Sequence, residues 1–199
     1  APMFEHGLKL TLKGDKRSVP YIDMTIELMQ HFGLKVMRMG DEISVFPGQQ
    51  YQAKPYTVEG DWSSAAFWYQ LVTMQPGIQV KMMGLNSKTE QGDVQMHKLF
   101  EKLGIETQFG QQHVSIKATG RKLAQQVNFD IKQMPDVFPA LVFACVARRV
   151  PFCITGTANL KLKESNRISA IANVVKQMGV SMLEEADAVR VDLYPSEFN

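Results

Sequence analysis

The sequence predicts a mixed α and β fold built of repeated strand-helix-strand-helix-strand-strand units, with buried helices and outer sheets. Three observations predict it. A helix closed by glycine and followed by two alternating strands recurs three times. Two other helices are apolar nearly all round. The strands carry polar residues at alternate positions, so each sheet shows one face to water.

In the first copy, His31-Phe32-Gly33-Leu34-Lys35-Val36 is followed, after a turn at Gly40-Asp41, by Glu42-Ile43-Ser44-Val45-Phe46. In the second, Lys102-Leu103-Gly104-Ile105-Glu106-Thr107 leads through Gly110-Gln111 to His113-Val114-Ser115-Ile116. In the third, Gln177-Met178-Gly179-Val180-Ser181-Met182 leads through Glu185-Ala186-Asp187 to Val189-Arg190-Val191. The three glycines stand 71 and 75 positions apart. That spacing exceeds a small solenoid repeat and marks a duplicated module.

The second copy is predicted to begin with a strand at about 56–59 and a helix from Ser63. A strand at Ile78–Met83, a helix at about 90–103 and the hairpin complete it. The third has a strand at Val127–Ile131, a helix from Asp136, a strand at Pro151–Thr155, a helix from Glu164 and its hairpin. The first copy contains only the second half of this order. Ala65-Ala66-Phe67-Trp68-Tyr69 and Val137 through Ala147 are apolar nearly all round, which predicts helices buried on every side. Lys81 and Arg190 mark the wet faces of their strands.

At 199 residues the chain has length for one large or two small domains, and 45% hydrophobic with 21% charged residues is a soluble globular balance. A net charge of +2 without a basic run argues against a nucleic-acid partner. The longest apolar run, Phe138 to Ala147, is half a membrane span and stops at Arg148 and Arg149. Nothing at the N-terminus reads as a signal peptide, so a cytoplasmic, soluble protein is expected. The opening Ala-Pro-Met-Phe-Glu-His-Gly reads as though cut from something longer. Cys145 and Cys153 lie in apolar surroundings and are expected to be free thiols. His6, His31, His97 and His113 are scattered with no zinc-binding spacing, so no metal is expected.

The stretch Asn159 through Ile168 concentrates the chemistry. On a helix from Glu164, residues Ile168, Ile171 and Val175 form an apolar stripe, with Glu164 on it one turn earlier. Lys163 and Arg167 lie along its edge. The carboxylate is therefore expected to aim inward, between two cations, at a helix N-terminus that attracts anions. An acid meeting an anionic substrate needs such a setting. The same residues also fit an ordinary surface pair, worth about 0.2–0.5 kcal/mol.

Four segments together resemble the 5-enolpyruvylshikimate-3-phosphate synthases, the 3-phosphoshikimate 1-carboxyvinyltransferases. They are Ser18-Val19-Pro20-Tyr21-Ile22-Asp23, Val58-Glu59-Gly60-Asp61-Trp62-Ser63-Ser64-Ala65-Ala66, Met134-Pro135-Asp136, and Asn159 through Arg167. The resemblance implies two domains of three such units each, an inside-out α/β barrel architecture. It makes residues 1–58 the end of the first domain and 59–199 two units of the second. It also implies transfer of the enolpyruvyl group of phosphoenolpyruvate to the 5-hydroxyl of shikimate-3-phosphate, with release of phosphate and without a cofactor or metal.

By the same resemblance, Glu164 is the proton donor, with a pKa raised by its inward position. Asp136, at the expected N-cap of a buried helix, is an acid/base residue that also holds the ring; its bland reading is a plain cap. Lys163 and Asn159 bind shikimate-3-phosphate, and Lys163 also assists proton transfer. Arg167 binds phosphoenolpyruvate, and Ser18 and Tyr21 contact shikimate-3-phosphate from the other domain. Asn166 stands where the family usually has Asp, Val19 where it often has Lys, and Trp62 where a small residue is common. The family's Ser-Lys phosphate segment and its C-terminal arginine and lysine are missing. Family members are about twice this length. The chain is thus expected to be an incomplete, inactive portion that needs the remainder of the full-length chain. The alternatives are a non-catalytic binding or scaffold domain, or a transferase acting on a nucleotide sugar. A fold relative that acts on RNA ends fits poorly with the weak charge.

Overall fold

The computed structural model describes residues 2–198, and the chain divides into two compact units, Ala1–Val58 and Glu59–Asn199. In the first, strand β1 (Leu8–Thr11) precedes helix α1 (Val19–His31) and the hairpin of β2 (Val36–Met39) and β3 (Glu42–Val45). The sheet order is β1-β3-β2, antiparallel throughout. Alternation puts Val36, Ile43 and Val45 inward, where they meet Ile26 and Leu34 in a small core. Asp23 on α1 pairs with Arg38 on β2 and clips helix to sheet.

The second unit contains the duplication. Helix α2 (Trp62–Met74) leads to β4 (Gln79–Met83), then a 3₁₀ turn (Gly92–Gln95) that runs into α3 (Met96–Glu101). The hairpin of β5 (Ile105–Phe109) and β6 (His113–Ala118) follows, giving an antiparallel sheet β4-β6-β5. The next copy is complete. Strand β7 (Val127–Asp130), helix α4 (Phe138–Ala147) and strand β8 (Phe152–Thr155) form a crossover with β7 and β8 parallel. Helix α5 (Arg167–Gln177) and the hairpin of β9 (Leu183–Glu184) and β10 (Ala188–Val191) close a sheet ordered β7-β8-β10-β9.

All three repeat glycines adopt the left-handed conformation that ends a helix: Gly33 at φ 88°, Gly104 at 80° and Gly179 at 79°. Each hairpin forms where the sequence places it, although the third starts at Leu183 rather than near Val180. No strand forms at 56–59. Tyr56 and Val58 are exposed there, and alternation without a neighbouring strand supplies no ladder bonds.

Helix α4 packs against α2, and its sequence explains why it sits at the centre of the unit. Seven of its ten residues are buried and the remaining three are half-buried. Arg148, just past its end, donates to the Thr73 carbonyl at 3.2 Å and ties the helix ends together. Helix α2 departs from expectation. Trp62, Ala65, Ala66, Tyr69, Val72 and Thr73 are buried, but Phe67, Trp68, Leu71 and Met74 are exposed. Its patterning records a need for burial, which the elements around it meet on one face. Asp61 caps α2, accepting from the backbone N–H groups of Ser63 at 2.9 Å and Ser64 at 3.1 Å. Trp62 is fully buried, and its Nε1 donates to the Asn86 carbonyl at 3.2 Å. The Tyr69 hydroxyl shares a hydrogen bond with Thr107 Oγ1 at 2.9 Å, and burial pushes its pKa up to about 12. Both cysteines are free thiols, Cys145 buried and Cys153 half-buried. Among the described residues, no helix is long and apolar enough to cross a membrane.

Candidate active site

Because β7 and β8 run parallel, the loops that follow them leave the same edge of their sheet. The loop after β7 carries Asp136, in a 3₁₀ turn (Pro135–Val137) that feeds α4. The loop after β8 forms a second 3₁₀ turn (Ala158–Leu162) and carries Asn159, Lys163 and Glu164, with Arg167 opening α5.

The two loops are joined through charge. Arg167 Nη1 donates to Asp136 Oδ1 at 2.5 Å, and Lys163 Nζ donates to the same oxygen at 3.3 Å. Arg167 Nη2 donates to Glu164 Oε2 at 3.2 Å. Partial burial raises the Asp136 pKa, but the Arg167 hydrogen bond and the Lys163 and Arg167 charges outweigh it. The carboxyl is held below the ordinary range and is ionised at neutral pH. Asp136 therefore lies within the turn, neutralised by two cations, and does not act as the helix cap.

Glu164 overturns an expectation. Helix α5 starts at Arg167, with Asn166 as its cap: Asn166 Oδ1 accepts from the Ser169 N–H at 3.1 Å. Glu164 thus precedes the helix, and its side chain is 83% exposed instead of aimed inward along the stripe. Its pKa is lowered, not raised, by a hydrogen bond from its own backbone N–H and then by Arg167. Lys163 likewise lies outside the helix, at the end of the 3₁₀ turn.

Asn159 lies on the same loop with its Oδ1 buried and without a partner among the described residues, as is Thr157 Oγ1. Buried polar atoms without partners are uncommon, and each costs about 1–3 kcal/mol unless something satisfies it. Ser18 and Tyr21 belong to the first unit. Ser18 caps α1 at φ 56° with no side-chain capping bond, and its carbonyl accepts from the Tyr21 N–H at 3.1 Å. Among the described residues, no group of three His, Cys, Asp or Glu side chains could hold a metal ion.

Two positioning residues escaped sequence reasoning. Asp187, in the β9–β10 turn, accepts from the Ala158 N–H through Oδ1 at 2.8 Å and from the Gly156 N–H through its carbonyl at 3.0 Å. Gly156 stands at φ 79°, and a Cβ there would come within 2.4 Å of the Lys132 backbone N. It lets the two site loops approach. Only the glycine directly after a predicted strand hinted at this; Asp187 gave no local signal.

The charged constellation couples to a likeness that runs the length of the chain. The model of the EPSP synthase family (3-phosphoshikimate 1-carboxyvinyltransferase) matches residues 1–198. The chain belongs to the EPSP synthase family. The 3-phosphoshikimate 1-carboxyvinyltransferase of Bacteroides fragilis strain YCH46 is 32% identical over 188 residues, covering 94% of this chain and 46% of that protein. The chain therefore spans about half the length of the curated relatives it matches. EPSP synthase from Acinetobacter baumannii superposes with a TM-score of 0.69 at 22% identity, covering 97% of this chain and 44% of that one. The enolpyruvyl transferase NikO from Streptomyces tendae gives 0.69 at 11% identity, covering 96% and 43%. These two likenesses show the fold, which is that of the enolpyruvyl transferases, the fold the resemblance implies.

Proposed function

We propose that this chain supplies one side of an active site that transfers the enolpyruvyl group of phosphoenolpyruvate to the 5-hydroxyl of shikimate-3-phosphate. The observation that carries the reading is the placing of Asp136, Lys163 and Arg167 within bonding distance on two loops from one sheet edge. A carboxylate between two part-buried cations suits a reaction that moves protons while holding anions.

In this reading Lys163 and Asn159 hold shikimate-3-phosphate, and the first unit is the end of a first domain. The Arg167 fork takes the carboxylate or phosphate of phosphoenolpyruvate. Asp136, with Lys163, accepts the 5-hydroxyl proton as that oxygen attacks C2. Glu164 gives a proton to C3, forming the tetrahedral intermediate. Loss of a C3 proton and of phosphate then yields the enolpyruvyl ether. Glu164 as it stands is a solvated carboxylate. Serving as the acid requires that the remainder of the full-length protein cover it and raise its pKa by desolvation. The chain alone is accordingly inactive. A cytoplasmic location accompanies the reading.

Calorimetric titration with shikimate-3-phosphate tests it. Binding is expected, and Lys163→Ala should weaken it about 10- to 100-fold, the worth of one charge-assisted hydrogen bond of roughly 1.5–3 kcal/mol. A nucleotide sugar should not bind. Indifference to shikimate-3-phosphate would favour a scaffold, and phosphate release by this chain from both substrates would refute its incompleteness.

A further inference from the structure

We infer that the concavity between the end of α3 and the linker from β6 to β7 binds a small multivalent oxyanion of the diphosphate class. It is separate from the loops that carry Asp136 and Arg167 and independent of the reaction assigned above.

Lys102, at the end of α3, meets Arg121, Lys122, Gln126 and Asn128 around a cavity of about 470 Å³. The cavity lies where the two copies join, since Lys102 follows a helix of one and Val127 opens the first strand of the next. No carboxylate lines it, and none of the three cations forms an ion pair among the described residues. The net charge of the whole chain is +2, so this one concavity holds more positive charge than the chain's entire surplus. Cations gathered without a counter-charge repel one another, and an anion between them relieves that repulsion. The frame that gathers them is fixed. Thr119 donates to the Gly104 carbonyl through N at 2.8 Å and through Oγ1 at 3.0 Å, and Leu123 packs against the core. Arg121 Nη2 donates to the Glu101 carbonyl, and Lys102 Nζ donates to the Asn128 carbonyl at 2.7 Å. At the far end of the linker the Val127 N–H donates to the Pro151 carbonyl at 2.9 Å. Such a frame lowers the ordering cost of binding, and each bonded cation keeps further N–H donors for a ligand.

The lining selects the ligand. Sites for drug-sized molecules are mostly apolar, whereas only Ala124 and Val127 are apolar here, so an apolar body would gain little. A guanidinium fork beside two ammonium groups suits phosphate oxygens, with the side-chain amides of Gln126 and Asn128 as neutral donors. Three positive charges match a ligand with more than one negative charge. The cavity also stands apart from the proposed reaction. It opens at the Val127 end of β7, whereas Asp136 follows the Asp130 end, so the rise of the strand, about 10 Å, lies between them. A ligand bridging Lys102 and the linker would hold the two copies together and stabilise the folded chain.

Calorimetric titration with pyrophosphate at constant ionic strength tests the inference. The starting protein is Lys163→Ala/Arg167→Ala, which lacks the cations of the proposed reaction site and whose fold is checked by circular dichroism. It should bind one pyrophosphate per chain, and orthophosphate at least about tenfold more weakly. Lys122→Gln, at an exposed position that anchors nothing in the frame, should weaken pyrophosphate binding about tenfold or more, the worth of one charge-assisted hydrogen bond. Lys81→Gln, an equal loss of charge on the wet face of β4, should leave it unchanged. In the unsubstituted chain, the backbone amide NMR shifts that pyrophosphate induces should include a cluster at residues 119–128. No saturable binding, binding indifferent to Lys122→Gln, an equal loss in Lys81→Gln, equal affinity for the two anions, or no shifts at 119–128 overturns the inference.

Discussion

Gly156→Ala is expected to cost about 3 kcal/mol of folding stability, the sum of left-handed backbone strain of about 1–2 kcal/mol and overpacking of about 1–3 kcal/mol. The added Cβ meets backbone, at 2.4 Å from Lys132 N and 2.7 Å from Lys132 Cα, so no side chain can turn aside. Gly77→Ala provides the control. Gly77 is also left-handed, at φ 98°, but nothing lies within 4 Å of its Cβ, so only the strain remains. Urea denaturation of both proteins separates the two costs. Equal losses would remove the role assigned to Gly156 in bringing the two site loops together.

Asp136→Asn is expected to change two affinities in opposite directions. With the carboxylate gone, Lys163 and Arg167 lose their shared counter-charge, and inorganic phosphate should bind about tenfold more tightly, a shift of about 1.4 kcal/mol. Shikimate-3-phosphate, proposed to need the carboxylate for its ring hydroxyls, should bind more weakly. The pH dependence has a definite sign. Because the folded-state pKa of Asp136 is lowered, its contribution to stability is present above the unfolded value of about 4 and is lost as pH falls through the folded value. The Asn protein should lack that part of the acid-side loss. Parallel changes in both affinities, or identical acid titrations, would contradict the ion-pair geometry.

Much of the fold was legible because the module repeats. Gly33, Gly104 and Gly179 fix helix ends by a local requirement for positive φ, and the hairpins after them follow from alternation. The charged site was legible in membership: Asp136, Lys163, Glu164 and Arg167 do meet. The orientation of Glu164 was not. Ile168, Ile171 and Val175 give the phase of a helix but not its start, and extending the phase backwards placed Glu164 on the buried stripe. Asn166 caps the helix, which starts at Arg167, three residues after Glu164, and the carboxylate stands in water. Its capping role also gives a local reason for Asn at this position. The missing strand at 56–59 and the open face of α2 share a cause. Periodicity states what a segment needs as a neighbour, and only the fold decides whether that neighbour is present.

The two faces of α2 give the protein an optical signature. Its two tryptophans, Trp62 and Trp68, lie six residues apart on this helix, one sealed beside Phe109 and the other open to water. Their emission should divide into a blue component shielded from acrylamide and a red component readily quenched. A change in solvent access confined to the outer face would shift only the red one, so that face can be followed by intrinsic fluorescence, with Trp62 as an internal reference.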